Sequence, residues 1–115
     1  MICLNLRSGG DKMVNKKPQE CTSMEDVRQE IDRLDEQLVK LIGERFTYVD
    51  MAWKFKENPE DATVPWRIQQ VIERVRGHAE QEGVPPRLIE ALWRQMIGWF
   101  IQYEEEKLDE KRQDK

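Results

Sequence analysis

A chain of 115 residues is one domain's worth, and a hydrophobic share of 38% supports a core but a thin one, so a second copy is expected to cover part of its apolar surface. With 19 basic against 23 acidic residues and a net charge of −4, the chain lacks the positive footprint of a nucleic-acid binder, and any anion it holds must be caught by a few placed cations. Its longest apolar run, MIGWFI at 96–101, falls far short of the roughly 20 residues of a membrane span, which predicts a soluble, cytoplasmic protein with no membrane partner.

The opening MICLNLRSGGDKM starts apolar but lacks a positively charged beginning followed by a long apolar run. It therefore predicts a flexible leader over 1–20, not a signal peptide, with Met13 as an alternative start. Cys3 and Cys21 make no CxxC pair and His78 is the only histidine, which argues against a zinc site and a disulfide framework. From Met24 to Lys56, apolar residues recur at three and four through Val27, Ile31, Leu34, Leu38, Leu41, Ile42, Phe46, Val49, Ala52 and Trp53. That is the pattern of one amphipathic helix of about 33 residues, near 50 Å long. Thr22 with Glu25, or Ser23 with Asp26, fits a capping box at its start. Asn58-Pro59 supplies the stop, since a residue before proline is pushed out of the helical region.

The polar stretch ENPEDATVP links to a second helix, 65–82, with Pro65 in its first turn and Ile68, Val71, Ile72, Val75 and Ala79 as its stripe. Gly83 ends it, and Pro85-Pro86 opens a third helix with Leu88, Leu92, Trp93, Met96, Ile97 and Phe100 on its apolar face. Beyond Glu104 the run EEEKLDEKRQDK is charged and is expected to fray, giving a helical domain over 21–108 and a tail over 109–115. No strand pattern or repeat competes. The expected fold is all-α, three helices per chain, and because the stripe of the first helix outruns what two shorter helices can cover, an intertwined homodimer.

Two cations break the apolar face of the first helix. Arg45 and Lys56 are eleven residues apart, so on a continuous helix they fall within roughly 20° of one another and about 16 Å apart in rise, able to converge on one small dianion. Arg28 lies seventeen residues before Arg45, about 25 Å away along the helix, so only another chain could bring its copy to the same ligand. Glu104 extends the stripe Trp93, Ile97, Phe100 and points a carboxyl inward. Long basic side chains on an apolar face commonly snorkel to water or pair with a carboxylate, and Glu104 could be such a partner for Arg45 or Lys56. By spacing alone, a helical dimer with buried salt bridges and an anion-binding cavity both remain open.

The run VRQEIDRLDEQLVKLIGER, followed by the eleven-residue step to Lys56, resembles the first helix of the all-helical class of chorismate mutases, closest to the branch containing the isochorismate-pyruvate lyases. WRIQQVIERV and LWRQMIGWFIQYE resemble that family's second and third helices, and the likeness covers about Pro18 to Glu106. The resemblance implies an intertwined dimer with two active sites, no cofactor or metal, and a dicarboxylate substrate, chorismate or isochorismate. Residue by residue it implies that Arg28 is donated across the dimer, that Arg45 grips a substrate carboxylate, and that Lys56 binds the ether oxygen and a carboxylate. It further implies that Arg67 helps hold the substrate and that Glu104 stands where many members have a glutamine donating to the ether oxygen.

Two residues depart from the family pattern. Glu104 can donate a hydrogen bond only when protonated, so activity is expected to fall as pH rises. Ile68 follows Arg67 where mutases often carry a glutamate for the ring hydroxyl, as in the lyase branch. The first expectation is a chorismate mutase serving aromatic amino-acid synthesis, the second an isochorismate-pyruvate lyase making salicylate, and the third a catalytically silent dimer acting as a binding or regulatory module. Trp53, Trp66, Trp93 and Trp99 are expected to be core and interface filler, since no basic groove accompanies them. His78 is expected to face solvent without a role, and the spacing assigns none to Tyr48 or Tyr103.

Overall fold

A computed structural model describes residues 15–114 and contains, among them, three α-helices and no strand: α1 (Met24–Ala52), α2 (Pro65–Glu82) and α3 (Pro86–Gln113). The all-helical expectation holds. Cys3, Met13 and most of the leader assigned to 1–20 lie outside the described residues. The chain divides between Glu44 and Arg45, within α1, into two compact units.

In the first unit, α1 starts on one of the two capping boxes that the sequence offered. The Ser23 hydroxyl accepts from the Asp26 N–H at 3.1 Å, while the Asp26 carboxylate reaches back past Ser23 to the N–H and hydroxyl of Thr22 at 3.0 and 3.1 Å. The Thr22 N–H first, and then Lys16 at 3.1 Å, hold the Asp26 carboxyl below its usual range. No residue of α1 is buried, and its stripe stays open, with Ile31, Leu34, Leu38 and Leu41 respectively 50, 46, 55 and 62% exposed.

The second unit packs α2 against α3. Pro65 occupies the first turn of α2, where its missing N–H has no helical partner to lose. Gly83 closes the helix in the left-handed region (φ 71°, ψ 26°), which lets the Val84 N–H turn back to the Ala79 carbonyl at 2.9 Å. Ile72 and Ala79 of α2, Ala62 of the preceding 3-10 turn, and Phe100 and Leu108 of α3 form the buried apolar centre. At the α2–α3 rim, Glu90 accepts from Arg94 and Arg76, each at 2.7 Å; these bonds, Arg94 first, keep its carboxyl below the ordinary range.

Two boundaries differ from the sequence reading. The helix expected to run to Lys56 ends at Ala52; Trp53–Phe55 tighten into a 3-10 turn, and Lys56 is extended (φ −109°, ψ 162°). Pro59 already forces Asn58 out of the helical region (φ −125°, ψ 150°); the Trp53 carbonyl is met by the Lys56 N–H at 3.0 Å, while the Lys54 and Lys56 carbonyls take their donors from α3. The second correction is at the far end: the segment after Glu104, expected to fray, remains helical to Gln113. Leu108 is 0% exposed and stands four residues after Glu104, itself four after Phe100, so a single buried stripe carries the helix on through its charged exterior.

Candidate active site

Within the second unit the last turns of α1, the loop after it, α2 and α3 enclose a cavity of about 390 Å³. Its walls are mostly aliphatic: Val49 and Ala52 of α1, Val64, Ile68 and Val71 at and within α2, Ile97 and Ile101 of α3. Into this apolar cup point Arg45, Lys56, Arg67 and Glu104, four of the five residues singled out by sequence. The fifth, Arg28, belongs to the first unit, is exposed, and is not among the lining residues. A larger depression of about 550 Å³, bounded by Arg94, Gln95, Gly98, Trp99 and Gln102, is built by one face of α3 alone and gathers no comparable set of charges.

Lys56 and Glu104 meet directly. The Lys56 ammonium donates to Glu104 Oε1 at 2.7 Å, and Glu104 is the buried member, 7% exposed. Of the two partners open to Glu104 by sequence, Lys56 is the one joined. Lys56 does so from an extended backbone, so the helical arithmetic that put it above Arg45 does not describe how it reaches the cavity; the 3-10 turn does.

Arg45 and Arg67 are different. Neither forms a salt bridge with a carboxylate among the described residues. Arg45 sits with its guanidinium carbon 5.9 Å from the centre of the Phe100 ring, and Arg67 donates to the Gln70 side-chain oxygen at 2.6 Å. Burial first, and then the charge of Arg67, push the pKa of Arg45 down from its ordinary value. Arg45 is half-buried and Arg67 exposed, so the cost of bringing the two like charges together falls mainly on Arg45, and an anion bound between them would offset it. Ile68 lines the same cup, so the position after Arg67 presents a hydrocarbon to it.

The sequence reading left Asp50 and Tyr103 without roles, and the structure joins them behind the site. Asp50 Oδ1 accepts from the Tyr103 hydroxyl at 2.6 Å and from the Trp53 indole N–H at 3.0 Å, tying the end of α1 and the start of the 3-10 turn to α3. Phe46, Trp99, Phe100 and Tyr103 pack around this bond, with Phe46 set edge-on to Phe100 and Tyr103 at centroid distances of 5.3 and 5.4 Å. Only the spacing of 46, 49 and 53 on one helix and 99, 100 and 103 on another hinted at such a cluster. Trp99 and Trp66, expected as filler, are 55% and 69% exposed.

The Asp50–Tyr103 bond has a pH signature. Hydrogen bonding to the Asp50 carboxylate, ahead of burial, pushes the Tyr103 phenol up to about 12, and the same bond, with the Trp53 indole, lowers Asp50. A raised phenol contributes stability that is complete below its unfolded value near about 10 and is lost as pH rises through the folded value. A lowered carboxyl contributes above its unfolded value near about 4 and is lost as pH falls through its folded one. In a Tyr48→Phe background, where Tyr103 is the only phenol left, the ultraviolet titration of tyrosinate is expected near about 12. Asp50→Asn should move it down toward about 10; an unmoved titration would mean the bond is not formed in solution.

Among the described residues no group of three or more His, Cys, Asp or Glu is placed to hold a metal ion, and no helix is long and apolar enough to cross a membrane. Fold and cavity together define a class: a small helical chain whose inward cations outnumber its single inward carboxylate inside an apolar cup. The sequence profile of chorismate mutase type II matches residues 27–105, and the chain belongs to that family. It is 34% identical over 86 residues to an isochorismate pyruvate lyase of Pseudomonas aeruginosa, a similarity covering 75% of this chain and 85% of that protein.

Proposed function

We propose that the chain is a chorismate mutase, converting chorismate to prephenate by a pericyclic rearrangement in which the ether C–O bond breaks as a C–C bond forms, with no covalent enzyme intermediate. The observation that carries this reading is the pair of guanidinium groups, half-buried Arg45 and exposed Arg67, which pair with no carboxylate among the described residues and line one cavity with the Lys56 ammonium. Chorismate carries two carboxylates and an enolpyruvyl ether. The planar fork of Arg45, aided by Arg67, suits a carboxylate, while the compact charge of Lys56 suits the ether oxygen, where negative charge grows as the bond lengthens. Holding the enolpyruvyl arm over the ring accounts for the rest of the rate, since the reaction needs a particular fold of the substrate and no nucleophile.

A second reading, isochorismate-pyruvate lyase, is favoured by Ile68, which offers no hydrogen bond to a ring hydroxyl, and by the similarity to the Pseudomonas aeruginosa lyase. Incubating the protein with each substrate separates the two. Prephenate from chorismate supports the mutase; salicylate and pyruvate from isochorismate, without prephenate, replace it with the lyase; inertness toward both leaves the silent binding module.

The exposed stripe of α1 supports a homodimer in which a second copy covers Ile31, Leu34, Leu38 and Leu41 and contributes its Arg28 to the cavity. As the carboxylate partner of Lys56, Glu104 has acceptors only, and so it cannot donate to the ether oxygen as a glutamine would.

A further inference from the structure

The loop that delivers Lys56 to the cavity has carbonyls no helix can satisfy, and they are met from an unexpected place. The Lys111 ammonium, in the last turn of α3, donates to the Lys56 carbonyl at 2.7 Å and to the Lys54 carbonyl at 3.1 Å, and lies 3.8 Å from the Glu57 carboxylate. An ammonium has three donors and no acceptor, so it can bridge two carbonyls and face one carboxylate at once. These are charge-assisted bonds, on a side chain only 27% exposed. Lys111 lies beyond the segment 27–105 matched by the family profile, in the stretch that Leu108 keeps helical by burial. The loop is held at its other end by Asp50, which receives Trp53 and Tyr103, and after Lys56 by Asp61, which accepts the Asn58 N–H at 3.0 Å.

We propose that Lys111 is a positioning residue for the reaction: by clamping the Lys54 and Lys56 carbonyls it fixes the extended backbone at Lys56 and so aims the Lys56 ammonium into the cavity at Glu104 and the substrate. The C-terminal turns of α3 are then part of the site's machinery. This rests on the function proposed above. An extended residue after a 3-10 turn has several accessible backbone conformations, and a four-carbon side chain magnifies any of them at its tip. Small misplacements of a catalytic charge lower rate far more than they lower stability.

The test uses the full-length protein with Lys111→Met, which keeps the stem and removes the donors, and Lys111→Arg, which restores charge and donors. For Lys111→Met the expected result is a kcat about tenfold lower, KM changed less than twofold, a thermal midpoint near wild type, and faster amide hydrogen exchange confined to residues 53–58. Lys111→Arg should recover most of the rate and the protection. The proposal is overturned if exchange at 53–58 is unchanged, if kcat is unchanged while the loop loosens, or if exchange rises throughout α2 and α3, which marks a structural prop only. Should wild type act on neither chorismate nor isochorismate, the positioning role falls with the function proposed above, while selective loosening of 53–58 in Lys111→Met still identifies Lys111 as the clamp on that loop.

Discussion

Arg45→Ala is expected to lower kcat/KM by about 10³-fold or more, with the helical circular-dichroism spectrum intact and stability changed by no more than about 1 kcal/mol. The two halves of that expectation come from one observation. Arg45 is half-buried, packs its guanidinium over Phe100, pairs with no carboxylate among the described residues, and has its protonation opposed by burial and by Arg67. Its charge therefore contributes little to holding the fold, and removing it relieves an uncompensated cation while losing the packing of its stem. On the function proposed above the balance reverses for a bound dicarboxylate, because the guanidinium fork would be the group that meets its carboxylate. Arg45→Lys should retain the charge, lose the fork, and still cost about 10²-fold. If Arg45→Ala lost less than tenfold in kcat/KM, or if the variant bound the substrate as wild type does, the silent-module reading would be the better one. The homodimer reading adds an extension: coexpressing Arg45→Ala with Arg28→Ala should recover activity, since a mixed dimer has one cavity with both arginines intact. Without recovery, Arg28 acts in its own chain or not at all.

How far this site was legible in the sequence depended on whether its contacts were local. The bounds of α2 follow from Pro65 and Gly83, punctuation that acts within one or two residues, and they match the sequence reading at both ends. The inward direction of Arg45 and Glu104 follows from helical periodicity, which tertiary packing did not override, whereas Arg67 was named by the family resemblance and not by its place on a stripe. The end of α1 was misread because its last turn depends on Asp50 meeting Tyr103, 53 residues away, and on Lys111 meeting Lys56, 55 residues away. No local pattern encodes those pairings. The length of α3 was misread for another reason: Glu105, Glu106 and Lys107 form a charged face, and Leu108, one residue in an otherwise polar run, is a weak signal until Phe100 and Glu104 are seen to share its stripe. Polarity of a segment and burial of one of its faces are separate properties, and the sequence reading weighed only the first. The exposed stripe of α1 was visible from the start; its occupant is a matter of assembly, which the periodicity of one chain does not name.

Lys56→Ala is expected to damage stability and activity together, and the double substitution Lys56→Ala with Glu104→Gln should separate them. Glu104 is 7% exposed and its 2.7 Å bond to Lys56 supplies its counter-charge, so removing Lys56 leaves a carboxylate in an apolar cup beside Ile97, Phe100 and Ile101. A fully buried pair broken from one side costs about 3–5 kcal/mol. Lys56 keeps 23% of its side chain in water, so some of that penalty is relieved by hydration of the gap, and about 2 kcal/mol is the expected loss. Glu104→Gln in the same chain removes the orphaned charge and should return most of that stability, because a neutral amide in the cup needs hydrogen bonds but no counter-ion. The rate should not return with it. On the function proposed above, loss of the ammonium would leave the ether oxygen without positive charge as the C–O bond breaks, and kcat should remain about 10²–10³-fold below wild type in both variants. Measured by denaturant unfolding and by initial rates on the same preparations, the two outcomes assign Lys56 a role in chemistry that its role in pairing cannot account for. Recovery of rate and stability together in the double variant would reduce Lys56 to the counter-ion of Glu104 and leave Arg45 and Arg67 to stabilise the transition state alone.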